Sequence, residues 1–121
     1  MVTFKELWLM TPEGSMLFHQ SKVQDNINPN LFTGFFSAIY MMSEESIEAI
    51  NMKESKIMIL PVKEPIKMYV ISRCSSKDKD KDIKKELMKI RDLFLATYTD
   101  VLQNWDGNVS QFEPFASKLK I

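Results

Sequence analysis

Glycine is scarce in this chain: Gly14, Gly34 and Gly107 are the only three in 121 residues. Neither a phosphate-binding loop nor a dinucleotide fingerprint can be assembled from glycines so far apart. Cys74 is the single cysteine and His19 the single histidine. An internal disulfide is therefore excluded, which fits a reducing compartment. A metal site built from several histidines or cysteines is excluded as well. Net charge is also missing, because sixteen basic residues balance sixteen acidic ones. No general field draws nucleic acid or an anionic membrane to such a surface. No apolar run approaches the roughly 20 residues that cross a bilayer. Lys5 and Glu6 interrupt the stretch "MVTFKELWLM" where a signal peptide would be uniformly apolar. The expectation is a cytoplasmic protein with no integral membrane segment and no nucleic-acid partner.

What is present is the composition of an ordinary globular domain, 45% hydrophobic and 26% charged. At this length one domain, spanning 1–121, can bury a core without covalent staples. "TFKELWLM", "TPEG" and "SMLFHQ" read as a hairpin whose turn ends in Gly14. Leu7, Trp8, Leu9 and Met10 are consecutive, so the first strand is covered on both faces. The second fades into His19, Gln20, Ser21 and Lys22 and reads as an edge. Asn28-Pro29 then opens a helix that runs to about residue 45. In "EAINMKES", Ile50 and Met52 alternate with polar residues, as in the other edge strand. "KIMILPV" and "IKMYVISRC" are apolar at both parities, with Pro61 placed near the end of its strand.

After the solvated linker "SSKDKDKD", a long amphipathic helix begins near Asp82. Ile83, Leu87, Ile90, Phe94, Val101 and Trp105 keep to one face, and Gly107 is the expected left-handed cap. "FEPFASKLKI" reads as a short final helix. Three strands covered on both faces require helices on both sides of one antiparallel sheet. The predicted fold is α+β, a three-layer α/β/α sandwich with strand order 2-1-5-4-3. One helix lies on one face and two on the other.

The hairpin "LWLMTPEGSMLFHQ", the helix "NLFTGFFSAI" and the late segment "RDLFLATYTDVLQNWDGN" carry a resemblance over nearly the whole chain. In that order they resemble the longin domain, and are similar to longin-like proteins of the Asgard archaea. A roadblock fold usually begins with a helix, whereas this chain begins with a strand. The resemblance implies a non-enzymatic protein-interaction module in a small-GTPase-regulating or membrane-trafficking-like assembly. Its implied partner is a small GTPase or another longin- or roadblock-type subunit, in a homodimer or heterodimer. A longin SNARE would continue past Ile121 into a coiled coil and an anchor, so an interaction module alone is expected here.

Each reactive-looking residue has a plainer explanation. His19 and Cys74 could form a thiol dyad, but the first strand should lie between theirs. They read as a partly exposed structural histidine and an inert strand cysteine. Asp78, Asp80 and Asp82 alternate like calcium ligands, yet Ile83 and Lys89 stand where that loop needs Gly and Glu. Gly34 reads as close packing of the first helix on the sheet, in preference to a partner contact. The nine methionines mostly fill core, with Met41 and Met42 the candidates for an adaptable surface. No cofactor is expected.

The first helix carries more apolar surface than one sheet requires. Its arc from Ala38 to Phe36 spans about 160°, and Tyr40 widens it to about 200°. Leu31, Phe35, Ala38, Ile39 and Met42 suffice for a core face. Phe32, Phe36 and Tyr40 are the candidate partner-binding residues. No Lys or Arg lies between Pro29 and Ile50, so a membrane-surface helix is disfavoured. The other class of reading is a small-molecule sensor or minor enzyme in the sheet–helix crevice. A deep polar pocket holding His19 or Cys74 would favour it.

Overall fold

The strand order is β2-β1-β5-β4-β3, with every neighbouring pair antiparallel. The structure, a computed structural model, describes residues 2, 4–22, 34, 36 and 48–119. The strands are β1 (Phe4–Met10), β2 (Met16–Ser21), β3 (Ala49–Asn51), β4 (Ser55–Val62) and β5 (Met68–Ser75). A long helix, Asp80–Gln103, and a terminal 3-10 helix, Val109–Lys118, follow them. This is the expected α+β sheet with the expected edges. The predicted helix over 28–45 lies outside the described residues except at Gly34 and Phe36, both in helical backbone.

The hairpin closes because Gly14 adopts a φ of 101°, which costs a side-chain-bearing residue strain. Its N–H donates to the Thr11 carbonyl at 3.0 Å, and the Ser15 N–H donates to Thr11 Oγ1 at 3.1 Å. Pro61 sits one residue from the end of β4, as expected. β3 pairs only with Lys56–Met58, and the Ile59 N–H reaches the Glu48 carbonyl. Beyond that point, among the described residues, the missing proline N–H deprives no strand on the β3 side of a ladder bond.

The sheet is apolar on both sides. On one, Leu7, Leu9, Val70 and Met68 meet Ile83, Leu87, Ile90 and Phe94 of the long helix. Phe112 and Phe115 of the 3-10 helix complete this layer, with the Phe94 ring 5.4 and 5.0 Å from theirs. On the other face Trp8, Met10, Ile57, Ile59 and Ile71 gather around Phe36.

The long helix begins at Asp80, two residues before the expected start. Lys56 on β4 explains the extension: its ammonium pairs with Asp80 and donates to the Asp78 carbonyl, tying the linker down. The buried stripe continues through Tyr98 and Leu102, while Val101 and Trp105 are only half-buried. The helix ends at Gln103 with Asn104 as its cap. Gly107 does have a positive φ, 92°, but in the turn beyond the helix rather than as its cap. Asn108 then caps the 3-10 helix by accepting from the Ser110 N–H.

Phe94 touches Tyr98, Phe112 and Phe115, so it joins the long helix to the terminal one. Phe94→Ala should cost about 3–5 kcal/mol of unfolding free energy. Urea denaturation followed by circular dichroism measures this, with an unchanged slope expected.

Candidate functional site

Glu6 stands in an apolar strand, and its side chain is wholly buried, 0% exposed. Strand alternation puts it on the same face as Trp8 and Met10, at the end of the Phe36 cluster. A buried carboxylate needs partners to offset lost hydration. The register provides Arg73 directly opposite on β5. Arg73 Nε and Nη2 both donate to Glu6 Oε1, at 2.9 and 2.7 Å. From β2, one diagonal step along the ladder, His19 Nε2 lies 3.2 Å from Oε2. A carboxylate only accepts, so Nε2 is the nitrogen that carries hydrogen in this contact. The Trp8 ring stacks on the imidazole at 5.8 Å and 20°. Three adjacent strands thus each supply one member of a polar network around a buried ion pair.

The network is chemically occupied. Both carboxylate oxygens are engaged, and the imidazole is held between Glu6 and Trp8. Cys74 does not join it, because β1 separates the strands of His19 and Cys74 as expected. Cys74 belongs to the opposite, helix-covered layer, with Sγ 3.6 Å from Ser72 Oγ. Burial pushes its thiol up to about 11 from 9.0, despite the Ser72 hydrogen bond that acts the other way.

Among the described residues, no three His, Cys, Asp or Glu side chains converge as metal ligands. Asp80 of the alternating aspartates is committed to Lys56. His19 does border a groove of about 260 Å³ between β2 and the 3-10 helix. Met16, Leu17, Phe18, Val109 and Ala116 line it, with Glu113 the other polar member. It is therefore not the deep polar pocket that a sensor or enzyme reading calls for. Among the described residues, no helix is long and apolar enough to cross a membrane.

The proposed partner surface requires one correction. Phe36 is buried by the protein's own sheet, only 3% exposed, and meets Tyr69 edge-on at 5.3 Å. A stripe of little more than 100° would have left Phe36 beyond the reach of the sheet. Large side chains at Trp8, Ile71 and Tyr69 instead reach a ring at the border of the arc. Phe32 and Tyr40, like Met41 and Met42, lie outside the described residues. Gly34 is exposed, and a Cβ added there would meet nothing within 4 Å among the described residues, so it is not a close-packing position.

The Glu6–Arg73 pair escaped the sequence reading altogether. Its signal was available: a lone acid in one two-faced apolar strand and a lone base in another, in strands predicted to be neighbours. No protein-family model and no curated protein matches the chain.

Two experiments probe this core. Glu6→Ala removes the carboxylate that faces the buried guanidinium and should cost about 3–5 kcal/mol, whereas Glu6→Leu with Arg73→Met should recover most of that loss. Denaturant melts of the three proteins decide it. Cys74 should resist alkylation near neutral pH until the chain unfolds. Because its folded pKa is raised, its contribution to stability is complete below about 9 and declines as pH rises toward about 11. Replacing it with Ala should flatten that alkaline decline in thermal melts.

Proposed function

We propose that this protein is a non-enzymatic interaction module of longin type, serving a small-GTPase-regulating or membrane-trafficking-like assembly in the cytoplasm. The observation that supports the reading is the sheet order 2-1-5-4-3, with a long helix and a 3-10 helix after β5 in the chain. That is the element order on which the longin resemblance rests. The polar chemistry adds support from a different direction. Glu6, Arg73 and His19 satisfy one another inside the sheet, and Cys74 is a buried thiol. Such a chain offers a partner its shape and surface rather than a reaction.

Of the three rings first assigned to a partner, Phe32 and Tyr40 remain the proposed contact positions. Phe36 serves the core. The sensor reading draws on the groove beside His19, but its mostly apolar lining supplies few groups to orient a polar ligand.

Small GTPases of the source organism, loaded with GDP or a GTP analogue, should be retained by the immobilised chain in at least one state. Retention of none in either state would overturn the GTPase assignment. Calorimetric titration with GTP and ATP in the presence of magnesium should show no saturable heat for the chain alone.

A further inference from the structure

The turn between the long helix and the 3-10 helix combines groups found together nowhere else in the chain. Its sequence is "NWDGN", and Asp106–Gly107 is the one place where an Asp or Asn precedes glycine. Residues 106 to 110 are all exposed. Gly107 has a φ of 92°, a conformation that favours glycine, and it has no Cβ to shield its backbone nitrogen. Among the described residues its N–H donates to no backbone carbonyl.

Asp106 Oδ1 accepts from the Asn108 N–H at 3.0 Å and from Gln111 Nε2 at 3.1 Å. Both bonds end on the same oxygen, so neither engages Oδ2. The bond from Asn108 folds the carboxyl group along the main chain, across the residue whose nitrogen lies between the two partners. Attack of that nitrogen on the carboxyl group is intramolecular, and the turn limits the freedom it must give up. In the protonated acid, the Gly107 nitrogen loses its proton and bonds to Asp106 Cγ. Negative charge gathers on Oδ1, where the two N–H donors stabilise it as an oxyanion hole does. Oδ2 leaves as water, closing a five-membered succinimide. Water then opens the ring at one of its carbonyls. Attack at Cγ restores aspartate. Attack at the main-chain carbonyl carbon of Asp106 breaks its bond to the Gly107 nitrogen, and the chain then runs through the side chain as isoaspartate. One water leaves and one enters, so the step needs no oxidant, reductant or cofactor.

We infer that Asp106–Gly107 is a self-modification site, at which the turn promotes conversion of Asp106 to isoaspartate. Asp80, Asp82, Asp92 and Asp100 lack the combination, because they stand within the long helix and precede residues that carry side chains. The conversion has a structural consequence. It adds a methylene to the main chain and withdraws the carboxylate from Asn108 and Gln111. The neighbouring bonds, from Trp105 Nε1 to the Asn108 carbonyl and from the Ser110 N–H to Asn108 Oδ1, anchor the 3-10 helix at the same point. That helix holds Phe112 and Phe115, both fully buried. The isomerised chain is therefore a less stable form with a loosened terminal helix. The inference goes beyond the interaction-module reading and does not depend on it.

Ageing the full chain in warm, mildly acidic buffer tests it. Isoaspartate is read by methyl transfer from an isoaspartyl methyltransferase and located by fragmentation mass spectrometry of a digest. Product should gather at Asp106 without change of mass in ordinary water, and should take up one label in heavy-oxygen water. Unfolding the chain in urea should slow the reaction at Asp106 several-fold, and so should Gln111→Leu in the folded chain. Circular dichroism of Gln111→Leu should match the wild type. Asp106→Glu, which would need a six-membered ring, should abolish the product. An Asp106 that stays unmodified would overturn the inference. So would a rate that rises on unfolding, since the turn would then protect the site. A rate that Gln111→Leu leaves unchanged would overturn it too, because the donors on Oδ1 would then contribute nothing.

Discussion

β1 must be covered on both faces, and the rest of the sheet is arranged around that requirement. Leu7, Trp8, Leu9 and Met10 are each 0% exposed, so neither side of the strand can face water. Such a strand cannot occupy an edge. The hairpin places β2 on one side and leaves the other to be filled. β5 fills it, with Leu7 opposite Ser72 and Trp8 opposite Ile71. The first and last strands therefore meet at the centre, and the short polar strands β2 and β3 take the edges. Closing so long a loop has an entropic cost, which apolar burial on both faces of β1 and β5 offsets.

Burial on both faces also makes register important, since a one-residue slip would exchange the two sides of the strand. The aliphatic residues discriminate weakly, because β1 and β5 are apolar at both parities. Glu6 discriminates strongly. In its observed register it meets Arg73 and His19. One residue out of register it would be pushed into the helix-covered layer among Val70, Leu87 and Phe94, where no base is present among the described core members. A buried ion pair of this kind adds little net stability over an apolar pair. What it provides is a penalty on the wrong alignment, and His19 extends that penalty to β2.

The architecture was legible because it depends on patterns that extend over many residues. Parity distinguishes the two-faced strands from the edges, and the edges together with the hairpin leave one sensible order. Features set by single contacts between distant residues were less visible. The helix start moved to Asp80 because Lys56, on another strand, ties down the linker. Trp105 proved only half-buried because the helix ends at Gln103, before the turn that holds it. Phe36 was assigned outward because angular position alone cannot say how far the facing side chains project. For the site the limit was sharper still. Glu6 and Arg73 are 67 positions apart, and only the sheet order brings them together.

The same division explains where function can reside. Glu6, Arg73 and His19 are bound to one another within the sheet, and burial holds the Cys74 thiol in its neutral form. The sheet has spent its polar chemistry on specifying itself. The long helix contrasts with it, since its inner stripe already accounts for its attachment to the sheet. Its outer face is free of that duty, and there Lys81, Lys84, Lys85 and Lys89 are interspersed with Asp82 and Glu86. Interspersed charges solubilise the helix and support it through local pairs.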